Sequence, residues 1–214
     1  MPVNQSGTVK TNPKRGSVAA CSMVGIVPIT FKELWDNYYG DKTPPYTVNG
    51  KIPDEFENQC AIRMSVTFHR TGIKMTSFSE KLIKPEKNEA TIGRLLLKGL
   101  PTSTRANEFA QWLQTRPVCG IGPAEDITGK NWQKKIKGRT GIIYFGDFWQ
   151  RDGLEELRDI ASGGHIDLWN NFRLTSNWTT VPRFFFGINR MNMLGGYIYT
   201  DYANAKRILF FEVK

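Results

Sequence analysis

Histidine and cysteine are the scarce residues of this chain. Its 214 residues hold two histidines and three cysteines, and their scarcity bounds the chemistry available. Cys21, Cys60 and Cys119 fall at none of the short spacings that bind zinc, so neither a metal nor a cofactor is expected. Three is an odd number, so at least one cysteine stays unpaired within a monomer even if Cys21 and Cys119 join. No apolar run approaches the roughly 20 residues that cross a bilayer, which argues against membrane insertion. Val18-Ala-Ala-Cys21 superficially resembles a lipoprotein cleavage box, but the residues before it are too polar for the apolar region of a secretory signal. Neither a signal peptide nor a lipid anchor is expected.

What is abundant is positive charge. Against 20 Asp and Glu stand 29 Lys and Arg, a net charge of +9, which favours anionic partners such as nucleic acid, lipid headgroups or a cell-wall polymer without choosing among them. Hydrophobic residues at 40% and aromatics at 12% suit a globular domain. The polar start, with Lys10, Lys14 and Arg15, reads as a flexible basic arm over residues 1–28, leaving 29–214 as a single domain.

Helical signals dominate the first half. Thr30-Phe-Lys-Glu33 is a capping box, Ile29 and Leu34 are placed for a hydrophobic staple, and Phe31, Leu34, Trp35 and Tyr38 follow at helical spacing, so a helix is expected over 31–39. A loop rich in Pro44, Pro45, Gly50 and Pro53 leads to Glu57. A second long helix is expected over Thr102–Arg116, with Ala106, Phe109, Trp112 and Leu113 on one face and Pro117 ending it. Between the two, Lys81, Lys84 and Lys87 read as solvated surface.

Strand signals dominate the second half. Gly141–Phe145 is expected as a central strand ended by Gly146, and Gly163–Trp169 as a strand with His165, Asp167 and Trp169 on one face and Ile166 and Leu168 on the other. The paired glycines before it allow a substrate or another backbone to approach closely. Asn170-Asn171 is turn chemistry, so Phe172–Trp178 should pair back. A three-residue turn sets Leu168 against Leu174 and Asn177 against His165; a two-residue turn sets Ser176 there. The apolar match favours the first. Residues 183–186, 197–199 and 207–213 complete the β-rich half, with Gly195-Gly196 as a turn and the last strand inside the sheet. Asp152–Ala161 is a polar excursion over the site or between strands.

Within this frame one stretch has the makings of a working site. Asn58 is a good N-cap for a helix starting just after it, which sets Cys60 in the first turn. There the unpaired N–H groups and the positive end of the helix dipole favour a thiolate, the nucleophilic form. A lone cysteine is on base rates more often packing than chemistry. A nucleophile also needs a base, and His69, roughly 13 Å along the same helix, is out of reach. That leaves His165. An imidazole base wants an acceptor on its far nitrogen: Asn177 is the first candidate and Asp167, two residues along the same strand, the second. The Cys60 backbone N–H is the natural oxyanion donor, with Asn58 or Gln59 as further candidates. Trp149, Trp169 and Trp178 either wall a groove or pack in the core.

Four blocks, Asn58-Gln-Cys-Ala-Ile-Arg-Met-Ser65, Gly138-Arg-Thr-Gly-Ile-Ile143, Gly164-His-Ile-Asp-Leu-Trp-Asn170 and Ile208-Leu-Phe-Phe-Glu212, together resemble the fourth family of type VI secretion amidase effectors. The resemblance covers about 29–214. It implies an α+β, papain-like, NlpC-type fold, with a helical first half that carries the catalytic cysteine helix packed on an antiparallel β-sheet. It further implies a cysteine peptidase that cuts peptidoglycan stem peptides between D-glutamate and meso-diaminopimelate. Such a protein is made in the producer's cytoplasm, delivered by the type VI machinery to a rival's periplasm, and restrained by a cognate immunity protein. Cys60 takes the nucleophile's place and His165 the base's, while counting to the family's third position, an aspartate, lands on Ser176. Two rival readings are a papain-like toxin that deamidates or acyl-transfers a protein target, and a non-catalytic basic module that binds nucleic acid. The second explains the charge but not Cys60 with His165, and no nucleic-acid motif is visible.

Overall fold

Thr30 and Glu33 cap the first helix reciprocally. The Glu33 N–H donates to Thr30 Oγ1 at 3.3 Å and the Thr30 N–H to the Glu33 carboxylate at 2.8 Å, the box the sequence predicts. This helix, α1 (Phe31–Asp36), stops short of the expected residue 39, because Asn37 donates both its backbone and its side-chain N–H to the Glu33 carbonyl. Ile29 and Leu34 are both buried in the same core. The structure, a computed structural model, describes residues 27–40, 43–56, 58–149, 163–175, 192–193, 196–197 and 205–214.

After a loop with one 3-10 turn at Asp54–Phe56 comes α2 (Cys60–Arg70). A hairpin follows that sequence reading did not anticipate, β1 (Arg94–Leu97) and β2 (Leu100–Ser103). Its two turn residues, Lys98 and Gly99, both have positive φ, at 51° and 75°, as a two-residue hairpin turn requires. Thr102 and Ser103, expected to open the second helix, instead pair with Leu95 and Arg94. That helix, α3, runs from Ala106 to Gln114.

A five-stranded antiparallel sheet forms the other half. It comprises β3 (Ile121–Asp126), β4 (Thr140–Trp149), β5 (Gly163–Asn170), β6 (Arg173–Leu174) and β9 (Arg207–Val213), in the order β3-β9-β4-β5-β6. The short helix α4 (Trp132–Lys135) lies between β3 and β4 in the chain. A separate pair, β7 (Asn192–Met193) and β8 (Gly196–Tyr197), stands apart; Gly196 pairs with Met193, so it belongs to the ladder and not to the expected turn. The last strand is internal, as expected. β3 is an edge strand, where Pro123 is tolerated beside a register shift between Ile121 and Ala124. β4 does not end at Gly146: it continues to Trp149 through an irregularity where Asp147 takes φ 53°.

Both faces of the sheet are buried. Ile142, Ile166, Leu168, Leu209 and Phe211 pack beneath Phe68 of α2 and Phe109 and Trp112 of α3; Phe68 meets Phe109 edge-on at 5.3 Å. On the opposite face Ile143, Phe145, Trp169, Ile208 and Phe210 pack with Trp132 and Ile136. Gly164 marks a close approach, since a Cβ there would meet Tyr144 at 3.2 Å and the Phe145 carbonyl at 3.3 Å. Cys119 is disulfide-bonded and Cys60 is free; Cys21 lies outside the described residues. Among the described residues, no helix is long and apolar enough to cross a membrane.

Candidate active site

Cys60 is the first residue of α2, as the sequence predicts, although the cap is different. Gln59 occupies the N-cap position with no side-chain cap bond, and Asn58 is an exposed residue outside the helix. The reason is that Gln59 is committed elsewhere. Its amide donates to the Tyr46 carbonyl at 2.7 Å and accepts from the Tyr46 N–H at 3.1 Å, which pins the preceding loop against the start of the helix. Both ends of the amide are thereby committed to the loop, which leaves only the second Nε2–H of Gln59 for any further partner. The Cys60 backbone N–H, in the first turn, has no helical carbonyl within reach.

The opposite wall is β5. His165 and Asp167 alternate on it with buried Ile166 and Leu168, the facing expected from a period of two. The half-buried Cys60 thiol is hydrogen-bonded to His165 and to the backbone N–H groups of Ile166 and Ala61. Burial alone pushes this thiol up. The hydrogen bond and the charge of His165, aided by the two N–H donors, outweigh burial and hold it below the ordinary cysteine range. The arrangement stabilises the thiolate, the nucleophilic form, beside an imidazole.

His165 turns Nε2 toward Asp167 Oδ2 at 3.7 Å, an ion-pair distance longer than a hydrogen bond. The Asp167 carboxylate is buried and held from its other oxygen, where Oδ1 accepts the Leu168 N–H at 2.7 Å and the Thr175 hydroxyl at 2.5 Å. The hairpin register differs from both expectations. Leu174 sits opposite Trp169 and Arg173 opposite Asn170, so the turn is Asn171-Phe172, with Asn171 at φ 60°. The pairing of Leu168 with Leu174, on which Asn177 was placed across from His165, does not form. Asn177, Ser176 and Trp178 lie outside the described residues, as do the excursion 152–161, the segment 183–186 and the side chain of Trp149.

The other sequence candidates are structural. His69 accepts from or donates to nothing in the site: its ring bonds the Pro101 carbonyl at 3.0 Å, and burial lowers its pKa. Trp169 is buried in the core on the face away from α2 and α3, donating to the Ile136 carbonyl at 3.1 Å. No group of three His, Cys, Asp or Glu among the described residues could hold a metal. Two partners escaped sequence reading: the Ile166 N–H, invisible because every residue has one, and Thr175, visible only once the hairpin register is known.

The sequence matches the family profile described as type VI secretion system amidase effector protein 4 over residues 56–211. Among solved structures, the chain is similar to the type VI effector Tae4 from Enterobacter cloacae, at 16% identity and TM-score 0.49, over 88% of this chain and 98% of that one. It is also similar to the Tae4–Tai4 effector–immunity complex from Salmonella Typhimurium, at 15% identity and TM-score 0.49, over 86% and 97%. No curated protein matches it. With a family profile spanning well over half of its length and Cys60 and His165 inside the matched region, the chain belongs to the type VI secretion amidase effector protein 4 family.

Proposed function

We propose that the protein is a cysteine amidase of the papain-like, NlpC type that cuts peptidoglycan stem peptides between D-glutamate and meso-diaminopimelate. Family membership supplies the reaction class, and one observation carries the mechanism: a free cysteine at a helix start, hydrogen-bonded to an imidazole that lowers its pKa. The Cys60 thiolate attacks the amide carbonyl, and the charge that develops on oxygen falls near the Cys60 backbone N–H. His165 then protonates the leaving amine as the tetrahedral species collapses to a thioester. Water, deprotonated by the same imidazole, releases the acid. Asp167 stabilises the imidazolium formed on the way. Its approach to Nε2 at 3.7 Å makes it a better founded orienting group than Asn177.

The reading extends to biology as the family does. The chain is a single amidase domain over 29–214 behind a basic arm, delivered by the type VI machinery and acting in the periplasm of a rival cell. The Salmonella relative is a complex with an immunity protein, and a cognate inhibitor of this chain is proposed by the same logic.

The test is product analysis. Purified protein incubated with meso-diaminopimelate peptidoglycan should release fragments ending in D-glutamate, and Cys60→Ala should release none while keeping a wild-type circular dichroism spectrum. Glycan cleavage with intact stem peptides, or activity retained by Cys60→Ala, would overturn the proposal.

A further inference from the structure

We propose that Thr175 is a positioning residue for the His165 base, acting through Asp167. The inference rests on the reading of His165 as the base of the Cys60 reaction, and it adds a member that neither the family match nor the sequence pattern assigns. Thr175 follows β6 directly, and its hydroxyl reaches back across the hairpin to Asp167 Oδ1 at 2.5 Å. The same oxygen accepts the Leu168 N–H at 2.7 Å. Both donors therefore act on one oxygen of a carboxylate that is only 4% exposed, and the second oxygen, Oδ2, is the one turned to His165 Nε2 at 3.7 Å.

This division of labour has two physical consequences. A buried carboxylate is costly unless donors replace the lost water, and the Thr175 hydroxyl is one of the two donors to Asp167 among the described residues. A carboxylate held through one oxygen has its side-chain torsions fixed, so the direction of the other oxygen is fixed too. At an ion-pair separation of 3.7 Å that oxygen stabilises an imidazolium, and with it the thiolate–imidazolium pair. Cys60 from α2 and Asp167 from its own strand both face the imidazole. Removing the hydroxyl frees Asp167 Oδ2 to turn away from His165, and the pair forms at higher pH.

The test compares Thr175→Val, which keeps the shape and loses the hydroxyl, with Thr175→Ser, which keeps the hydroxyl. The first readout needs no substrate: the pH profile of Cys60 alkylation by iodoacetamide. For Thr175→Val the rate at pH 6 should fall about tenfold as the lower limb of the profile moves up, while Thr175→Ser stays within about twofold of wild type. The second readout is hydrolysis of soluble stem peptide, where kcat should fall about tenfold with KM unchanged. Asp167→Asn should reproduce the alkylation change, and adding Thr175→Val to it should change nothing more. A wild-type alkylation profile for Thr175→Val, or additive effects in the double variant, would overturn the proposal. If Thr175→Val does not fold, Thr175→Ala carries the same expectations. If wild-type protein cuts no stem peptide while the alkylation profile still responds to Thr175, the proposed function fails and this inference stands.

Discussion

Gln59 is the residue whose removal separates two readings of the site. In a cysteine amidase, an amide beside the nucleophile invites assignment as an oxyanion donor, yet here both its ends are taken by the Tyr46 backbone, at 2.7 and 3.1 Å. Gln59 is 4% exposed, so Gln59→Ala removes two hydrogen bonds, each with a net value of about 0.5–1.5 kcal/mol. Tyr46 is half-buried and water can take over part of the loss, which places the total near 1–2 kcal/mol. The loss is local to the loop before the helix. One to two kcal/mol is a factor of about 5–30 in an opening equilibrium, so the Tyr46 amide should exchange with deuterium about 5–30 times faster in the variant, while amides of β4 and β9 keep their rates. Hydrogen exchange read by mass spectrometry on peptides covering 43–56 makes the measurement. Unchanged exchange at Tyr46 together with a fall in kcat of about a hundredfold or more, the scale for losing an oxyanion donor, would refute the reasoning and return Gln59 to the oxyanion hole.

Phe68 is fully buried and meets Phe109 and Trp112 at 5.3 and 5.9 Å, so Phe68→Ala should cost about 3–5 kcal/mol of stability; a urea midpoint within 0.5 M of wild type, roughly a kcal/mol on a typical slope, would contradict the packing described. Burial pushes the Glu108 carboxyl up, against donations from the Glu86 and Gly93 N–H groups and from Arg105. A carboxyl raised by folding binds more protons folded than unfolded, so its contribution to stability falls as pH rises from about 4.3 through the folded pKa. The stability advantage of wild type over Glu108→Gln, from urea unfolding, should shrink over that window, and an advantage that grows would show the donors winning over burial.

The candidate site was legible because its parts are rare. With two histidines in the chain, one of them on the same helix as Cys60, the partner of the thiol followed by distance. Cap chemistry was legible in kind and displaced in position: Asn58 looks like the better cap, but Gln59 holds the N-cap place because its amide is anchored to Tyr46. The β1–β2 hairpin hid for a different reason. Arg94–Leu97 alternates exposed with half-buried residues and buries none fully, β2 opens on Leu100-Pro101 and closes on polar Thr102-Ser103, and the Lys98-Gly99 turn lacks the Asn-Gly or Asp-Gly signature. β3 hid behind Pro123, a residue that reads against a strand everywhere except at an edge or a bulge, and β3 is both.

The orienting residue depended on register, and apolar matching had no power to set it. Matching Leu168 with Leu174 assumes that one face of the β5–β6 hairpin is buried and the other wet, so that a one-residue slip exposes apolar side chains. Here both faces are buried: Leu168 belongs to the core under α2 and α3, while Trp169 and Leu174 belong to the core on the other side. Setting Leu174 against Trp169 instead of Leu168 therefore keeps it fully buried, 4% exposed, and costs nothing in hydrophobic terms. What distinguishes the registers is polar. In the observed one, Thr175 donates to Asp167 and the buried carboxylate keeps a partner that a slipped strand would take away, at a cost of about 1–3 kcal/mol for a buried acceptor left unmet. The group that supports the imidazole thereby also selects the register of the hairpin that carries it.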